Sequence, residues 1–244
     1  MKKPKISEYD NIDIIGRTHE SFYDKTDQLM NAYYHKSEVS AVSKLLKLFY
    51  PYDWNQVVDV GTSIGTWLDD YRNFGFKKII GIDISEKRAK QAKKRGYDEV
   101  HICNAYDTPF EDESQECLIS NDVLVHVLQD SDKLKIFKEI HRILTSDGIF
   151  IFNIANALSH GYSNDVTKNY CRFITPNTTK KLIEESDLKI KKILPSYFVI
   201  PRIGANPKFV NFSCNVLFPI TDRILSNMNN IEKSKAVYFC VTKK

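Results

Sequence analysis

Two short apolar runs, Val57-Val58-Asp59-Val60 and Ile79-Ile80-Gly81-Ile82, each lead directly into a turn and then a helical pattern. After the first, a glycine turn from Gly61 to Gly65 opens a helix through Trp67, Leu68 and Tyr71, and Gly75 ends it. After the second, Ser85 begins a helix rich in Lys and Arg that ends at Gly96. Strands this short and this continuously apolar need cover on both faces. A strand joined to the next through a helix returns parallel, by a right-handed crossover. Further strands are predicted at Val100-His101-Ile102, Cys117-Leu118-Ile119 and 149–153, with a helix opened by Ser131 through Leu134, Phe137, Ile140 and Leu144. The pattern predicts an α/β domain with a mostly parallel sheet and helices on both faces. Ligands of such sheets bind at the carboxyl ends of the strands, near the point where strand order reverses.

The flanks read differently. Residues 1–50 are predicted to form a helical cap, in which Ser37 caps a helix through Val39, Val42, Leu45, Leu46 and Leu48 that Pro51 breaks. Beyond the fifth strand, a loop spans 156–175 and Pro176 starts a helix through Leu182 and Ile183. Strand-like segments follow at 188–194 and 197–201, then an irregular stretch at 202–232 and a final strand at 236–241. The expected organisation is a cap, 1–50, on a catalytic domain, 51–244, with lid insertions at 156–175 and 199–232.

A chain of 244 residues, 42% hydrophobic and 27% charged, suits one large globular domain. A net charge of +4 is far from the concentrated positive field of a dedicated nucleic-acid binder. The five cysteines are odd in number and form no CxxC pair, which argues against a zinc site or a disulfide framework and for the cytoplasm. The basic start, Met1-Lys2-Lys3-Pro4-Lys5, is followed by no apolar stretch, so no secretory signal is read there. No run approaches the roughly 18 apolar residues of a spanning helix.

Two constellations carry chemistry. In Asp59-Val60-Gly61-Thr62-Ser63-Ile64-Gly65 a strand ends in a carboxylate and a glycine turn opens a helix. Gly61 lacks a Cβ, so a ligand can approach the backbone there, and the helix start offers unpaired N–H groups. In Gly81-Ile82-Asp83-Ile84-Ser85 a second carboxylate follows about twenty positions after Gly61, the spacing that sets an acid beside the first turn to accept bonds from ribose hydroxyls. The bland account makes Asp83 a helix cap, a task Ser85 can perform instead. Together the two point to a nucleoside ligand. Gly61 and Gly65 give GxxxG, a poor match to the GxGxxG of a dinucleotide site.

These segments resemble the class I S-adenosylmethionine-dependent methyltransferases. Asp59 to Gly65 is similar to that family's first motif, with Ser63 in place of the usual middle glycine, and Asp83 matches its ribose-binding acid. Asn104-Ala105-Tyr106-Asp107-Thr108-Pro109-Phe110 resembles its "DAxxLPF" segment, so Asn104 and Ala105 would border the adenine. Leu118 to Val127 resembles its fourth-strand segment, which adds Asn121, and Glu139-Ile140-His141-Arg142-Ile143-Leu144 with Asp147-Gly148 resembles its "ExxRxLxPGG" helix and turn. The resemblance implies a Rossmann-like, seven-stranded sheet with an antiparallel last strand. It also implies S-adenosylmethionine as cofactor, bound by Asp59, Gly61, Thr62, Ser63, Gly65, Asp83, Ile84, Asn104, Ala105 and Asn121.

The expected reaction is methyl transfer to an oxygen or nitrogen of a small-molecule acceptor. His126 is the candidate base for an oxygen acceptor, set against a purely local packing role in Val125-His126-Val127. No metal is expected: Val125 stands where some related quinone O-methyltransferases place a metal-binding Glu. An "[DN]PPY" motif and a Pro-Cys nucleophile are both missing. Acceptor contacts are expected from Tyr9, Tyr23, Tyr33, Tyr34 and His35, from His160, Tyr162, Tyr170 and Arg172, and from Arg202, Lys208 and Phe209. The competing readings are an RNA methyltransferase docking through Lys87, Arg88, Lys90, Lys93, Lys94 and Arg95, and a non-catalytic cofactor-binding protein.

Overall fold

A computed structural model describes residues 25–168, 170–198, 212–227 and 230–244. The first helix, α1 (Lys25–Leu46), precedes an alternating series: β1 (Gln56–Val60), α2 (Leu68–Asn73), β2 (Lys78–Asp83), α3 (Glu86–Arg95), β3 (Glu99–Ile102), β4 (Gln115–Ser120), α4 (Asp130–Ile143) and β5 (Leu144–Ala155). The second part adds a hairpin of β6 (Val166–Lys168) and β7 (Cys171–Phe173), then α5 (Pro176–Glu184), β8 (Leu188–Pro195), α6 (Phe218–Asn227) and β9 (Ala236–Lys243). Seven strands form one sheet in the order β3-β2-β1-β4-β5-β9-β8. Its first five members pair in parallel, and β9 lies antiparallel between β5 and β8. The chain steps outward from β1 to β3, then crosses back to β4 on the other side. The crevice at this reversal lies between the carboxyl ends of β1 and β4.

Alternation along each strand divides the core into two layers. Val58, Val60, Ile80, Ile82, Leu118, Phe150, Phe152 and Phe239 face α4 and α5, through Ile136, Phe137, Ile140 and Ile183. Val57, Ile79, Cys117, Ile119, Ile149, Ile151, Tyr238 and Cys240 face α1, α2 and α3, through Val42, Leu45, Leu68, Tyr71 and Ala92. The predicted sandwich of helices over a mostly parallel sheet with an antiparallel last strand is therefore present.

Several local expectations need correction. Ser37 lies inside α1 rather than at its start, and its hydroxyl donates to Asp222 (3.0 Å). α4 begins at Asp130 after Gln129, so Ser131 is not its cap. The loop 156–175 contains the β6–β7 hairpin. In the stretch read as irregular, a π-helical turn, Ser213–Leu217, continues into α6. Pro219 made this stretch look unhelical, because it lacks an N–H and its ring crowds the carbonyl four residues back. The wider π turn just before it relaxes that crowding. Of the strand read at 197–201, Tyr197 and Phe198 are not in a strand, and the rest lies outside the described residues, as do Tyr9, Tyr23, Arg202, Lys208 and Phe209.

Candidate functional site

The turn after β1 is tied to the end of β2. The Gly61 and Thr62 N–H groups both donate to the Ile82 carbonyl (2.8 and 3.0 Å), and Gly65 N–H closes the turn on Thr62 (2.9 Å). Gly61 and Gly65 have φ of +81° and +79°, which L side chains rarely adopt. A Cβ on Gly61 would run into Val123 Cγ2, so the space it leaves is filled by the segment after β4. Ser63 also has positive φ, 50°, where its relatives' glycine would be unstrained.

Asp83 sits at the end of β2 with 9% of its surface exposed. One carboxylate oxygen accepts the Ser63 N–H (2.8 Å) and the other the Ser85 N–H (2.8 Å). The acid thus clasps the turns after β1 and β2 together. Ser85, as expected, caps α3 by accepting from the Arg88 N–H.

Asp59 is placed differently from its expected contact role. It is buried, and its two oxygens accept the Tyr71 and Tyr97 hydroxyls (2.8 and 2.7 Å). Burial pushes its carboxyl up to about 6, against the pull of the Tyr97, Tyr71 and Thr62 hydroxyls. The same burial, with Asp59 adjacent, raises both tyrosines. A network continues across the crevice: Asn121, just after β4, donates to the Tyr71 oxygen (3.4 Å) and accepts from Tyr238 on β9 (2.9 Å). Asp122 has a φ of 57° and pairs twice with Asn153 on β5 (2.7 and 2.8 Å), which holds the post-β4 backbone in place.

Asn104 and Ala105 follow β3. The Asn104 carboxamide accepts the Tyr106 N–H (3.2 Å), Ala105 packs at the rim of the core, and Lys135 lies over the Tyr106 ring at 5.6 Å. Glu139 anchors this segment by accepting from both the N–H and hydroxyl of Thr108 (2.8 and 2.6 Å), and Arg142 pairs with Glu139 and Asp112. Ile84 is half-buried beside Asp83. His126, also half-buried, lies on a 3-10 turn, Leu124–His126. That turn is braced from below by fully buried Lys133, which donates to the Val127 carbonyl. Loss of hydration pulls the Lys133 ammonium down to about 8.

The site therefore gathers Gly61, Thr62, Ser63, Gly65, Asp83 and Ile84 on one side and Asn121 and His126 on the other, with Asn104 and Ala105 beyond β3. Arg172, expected among the acceptor contacts, pairs with Asp130 (2.8 Å) and Asp165 (3.8 Å). His160 and Tyr162 pack around Phe173 of the hairpin. Sequence reasoning missed Tyr97, Tyr238, Asp122 and Glu38. Each lies at an element boundary or on a helix face whose partner appears only when the sheet closes. Of these, Asp122 carried a signal, since it directly follows the quoted Asn121.

Residues 58–152 match the family model described as a methyltransferase domain. An uncharacterised protein of Methanocaldococcus jannaschii is 30% identical over 155 residues, 64% of this chain and 53% of that protein, so the chain spans about half the length of the curated relative it matches. Among solved structures, a SAM-dependent methyltransferase from Leishmania major aligns at TM-score 0.63 and 10% identity, over 97% of this chain and 91% of that one. An S-adenosylmethionine-dependent methyltransferase from Mesorhizobium loti aligns at 0.56 and 15%, over 82% and 96%. Geranyl diphosphate C-methyltransferase from Streptomyces coelicolor A3(2), in complex with Mg2+, geranyl diphosphate and S-adenosyl-L-homocysteine, aligns at 0.56 and 16%, over 84% and 80%. At these identities the structural likeness speaks for the fold. The domain match, falling on the strands and turns that build the crevice, agrees with it. Residues 58–152 are thus similar to a methyltransferase domain, and the fold is that of S-adenosylmethionine-dependent methyltransferases.

Proposed function

We propose that this protein binds S-adenosylmethionine in the β1/β4 crevice and transfers its methyl group to an oxygen or nitrogen of a small-molecule acceptor. The observation that carries this reading is Asp83, held between the Ser63 and Ser85 N–H groups at the switch point of the sheet. Backbone donors from the turns after β1 and β2 fix its orientation at the carboxyl end of β2, where a ribose diol would meet it. Asp59 serves through the turn, by anchoring Tyr71 and Tyr97, while Gly61, Thr62, Ser63 and Gly65 shape the backbone against the ligand's methionine end. Asn104, Ala105 and Ile84 border the adenine, and Asn121 faces the reacting centre.

When bound, the sulfonium supplies an activated methyl group with a thioether as leaving group. The chain's task is then to align an acceptor atom behind that carbon and to keep water out. His126, on the turn after β4, is the base for an oxygen acceptor. The first half of α1 and the segment 212–227 form the lid. Tyr33 and Ser37 of α1 both donate to Asp222 of α6 (2.7 and 3.0 Å), and Asp222 also accepts the Phe198 N–H (3.0 Å). The expected place of action is the cytoplasm, and among the described residues no helix is long and apolar enough to cross a membrane.

Calorimetric titration with S-adenosylhomocysteine, with NAD as control, tests the reading. Micromolar binding of the former alone is expected. Asp83→Ala should weaken it about tenfold or more, the worth of a charge-assisted hydrogen bond. Unchanged affinity in that variant would misplace the ribose.

A further inference from the structure

Glu38 is a carboxyl group without a visible reason to be where it is. It lies in the middle of α1 with 5% of its surface exposed. Its own turn is fixed on both sides. His35 donates to the Asp70 carboxylate (2.8 Å) and packs edge-on against Trp67, while Tyr33 and Ser37 hold Asp222 of α6. The residues three and four positions further on, Ala41 and Val42, are buried against the sheet. Glu38 therefore cannot swing out to solvent without unpacking α1. Among the described residues it has no hydrogen-bond or ion-pair partner. Its oxygens are not sealed from solvent, so the little surface it keeps includes them.

Its neighbours on α1 place it, with His35 meeting Asp70 of α2 and Tyr34 packing on Tyr197 beside the start of β9. The exposed Asp122 after β4 adds to the cost of charging Glu38, and burial with the charges of both acids raises Tyr238, which donates to Asn121. Asp122 follows the carboxyl end of β4, and Tyr238 lies near the amino end of the antiparallel β9, at the same edge of the sheet. An isolated buried carboxylate is costly, and a second acid nearby makes it costlier. Burial with Asp122 in range accordingly raises the Glu38 carboxyl well above the usual range. A cation entering between the two acids removes both penalties at once. Around them stand aromatic rings suited to a cation, Tyr34 one turn before Glu38 and Tyr197 against it at 4.5 Å between centroids.

We propose that the methyl acceptor is a basic amine, bound as its ammonium ion between Glu38 and Asp122, and that Glu38 takes its proton. The inference rests on the methyltransferase reading above. The step balances as follows. The ammonium N–H gives its proton to the Glu38 carboxylate, which leaves a lone pair on nitrogen. That pair forms the new N–CH3 bond as the methyl–sulfur bond of S-adenosylmethionine breaks, its electrons staying on the thioether sulfur. The proton passes from Glu38 to solvent as the N-methylated product leaves as a cation.

The test compares the wild type and Glu38→Gln, which keeps the shape and removes the charge. With S-adenosylhomocysteine present, each is titrated with phenethylamine and with 2-phenylethanol, and melting of both proteins checks that the variant folds. In the wild type the amine should bind at least about tenfold more tightly than the alcohol, and Glu38→Gln should erase that preference with S-adenosylhomocysteine affinity unchanged. Equal binding of amine and alcohol to the wild type overturns the proposal, as does failure of both to bind. A parallel loss of S-adenosylhomocysteine affinity in Glu38→Gln also overturns it, by assigning Glu38 to the cofactor's own amino group. If the variant does not fold, Asp122→Asn takes its place and should narrow the same preference. Failure of the wild type to bind S-adenosylhomocysteine would instead defeat the underlying methyltransferase reading.

Discussion

Ser63 holds a left-handed backbone conformation that costs an L-residue about 1–2 kcal/mol. Its N–H is committed to Asp83, so the turn cannot relax to a cheaper conformation without losing that bond. Ser63→Gly should stabilise the protein, by about 0.5–1 kcal/mol once the extra freedom of glycine in the unfolded chain is subtracted. Urea denaturation measures it, and a loss of stability would mean the serine side chain contributes more than its strain costs. Asp59 lends itself to a test by pH. Its folded carboxyl is raised to about 6, above its unfolded value, so the folded state holds this proton more tightly. Its contribution is fully present in acid below the unfolded value and is lost as pH rises through about 6. The difference in stability between wild type and Asp59→Asn should therefore shift by about 2 kcal/mol between pH 4 and pH 7, most of the worth of roughly two pKa units. A flat difference would show that Tyr71 and Tyr97 fully compensate the buried charge.

At the scale of elements, α1 and α6 meet, among the described residues, through the Asp222 carboxylate and a small apolar cluster. Asp222 accepts from Tyr33, Ser37 and the Phe198 N–H, while the apolar part of the contact is the small cluster of Tyr33, Cys214 and Phe218. Removing one hydroxyl from such a buried acceptor costs about 1–3 kcal/mol. Tyr33→Phe should loosen α6 more than the sheet, because the core layers do not depend on it. Limited proteolysis should cut within 212–227 faster in the variant while the melting temperature falls only slightly. Uniform protection would mean that α6 is held by something else. By contrast α5 is self-sufficient at its start. Thr175 caps it by accepting the Thr178 N–H, with Pro176 at the first helical position. That pattern is written locally, and it was read correctly. The lid was not, since Pro219 suppresses every local helix signal and the π turn that accommodates it leaves none of its own.

Across the whole molecule, the aromatic stack Phe137, Phe150, Phe152 and Phe239 joins α4 to β5 and β9. Phe152→Ala should cost about 3–5 kcal/mol. For a chain of this size that lowers the melting point by about 10 °C, readable by calorimetry. How much was legible follows the range of the interactions. The β1 to β5 half is built from strand–helix units that each complete themselves within a few tens of residues, so periodicity and turn residues were enough to read it. Asp83 was legible for the same reason, since its two donors, Ser63 and Ser85, lie in adjacent turns. Asp59 was recognisable as a motif, but its tyrosine partners, one on α2 and one before β3, were not. Glu38 looked like any charge on a helix, since its burial is decided by β9 and the lid, far along the chain.

The position of β9 also sets an order of events during synthesis. β8 has no neighbour in the sheet other than β9, and β9 is made last of the seven. Until those residues leave the ribosome, β5 presents an unpaired edge, and β8 with the lid that follows it has nothing to dock on. Such an edge invites pairing with other chains. The nascent protein should thus hold the β1–β5 half while β8 and α6 wait, and a chain stopped before Ala236 should aggregate rather than fold.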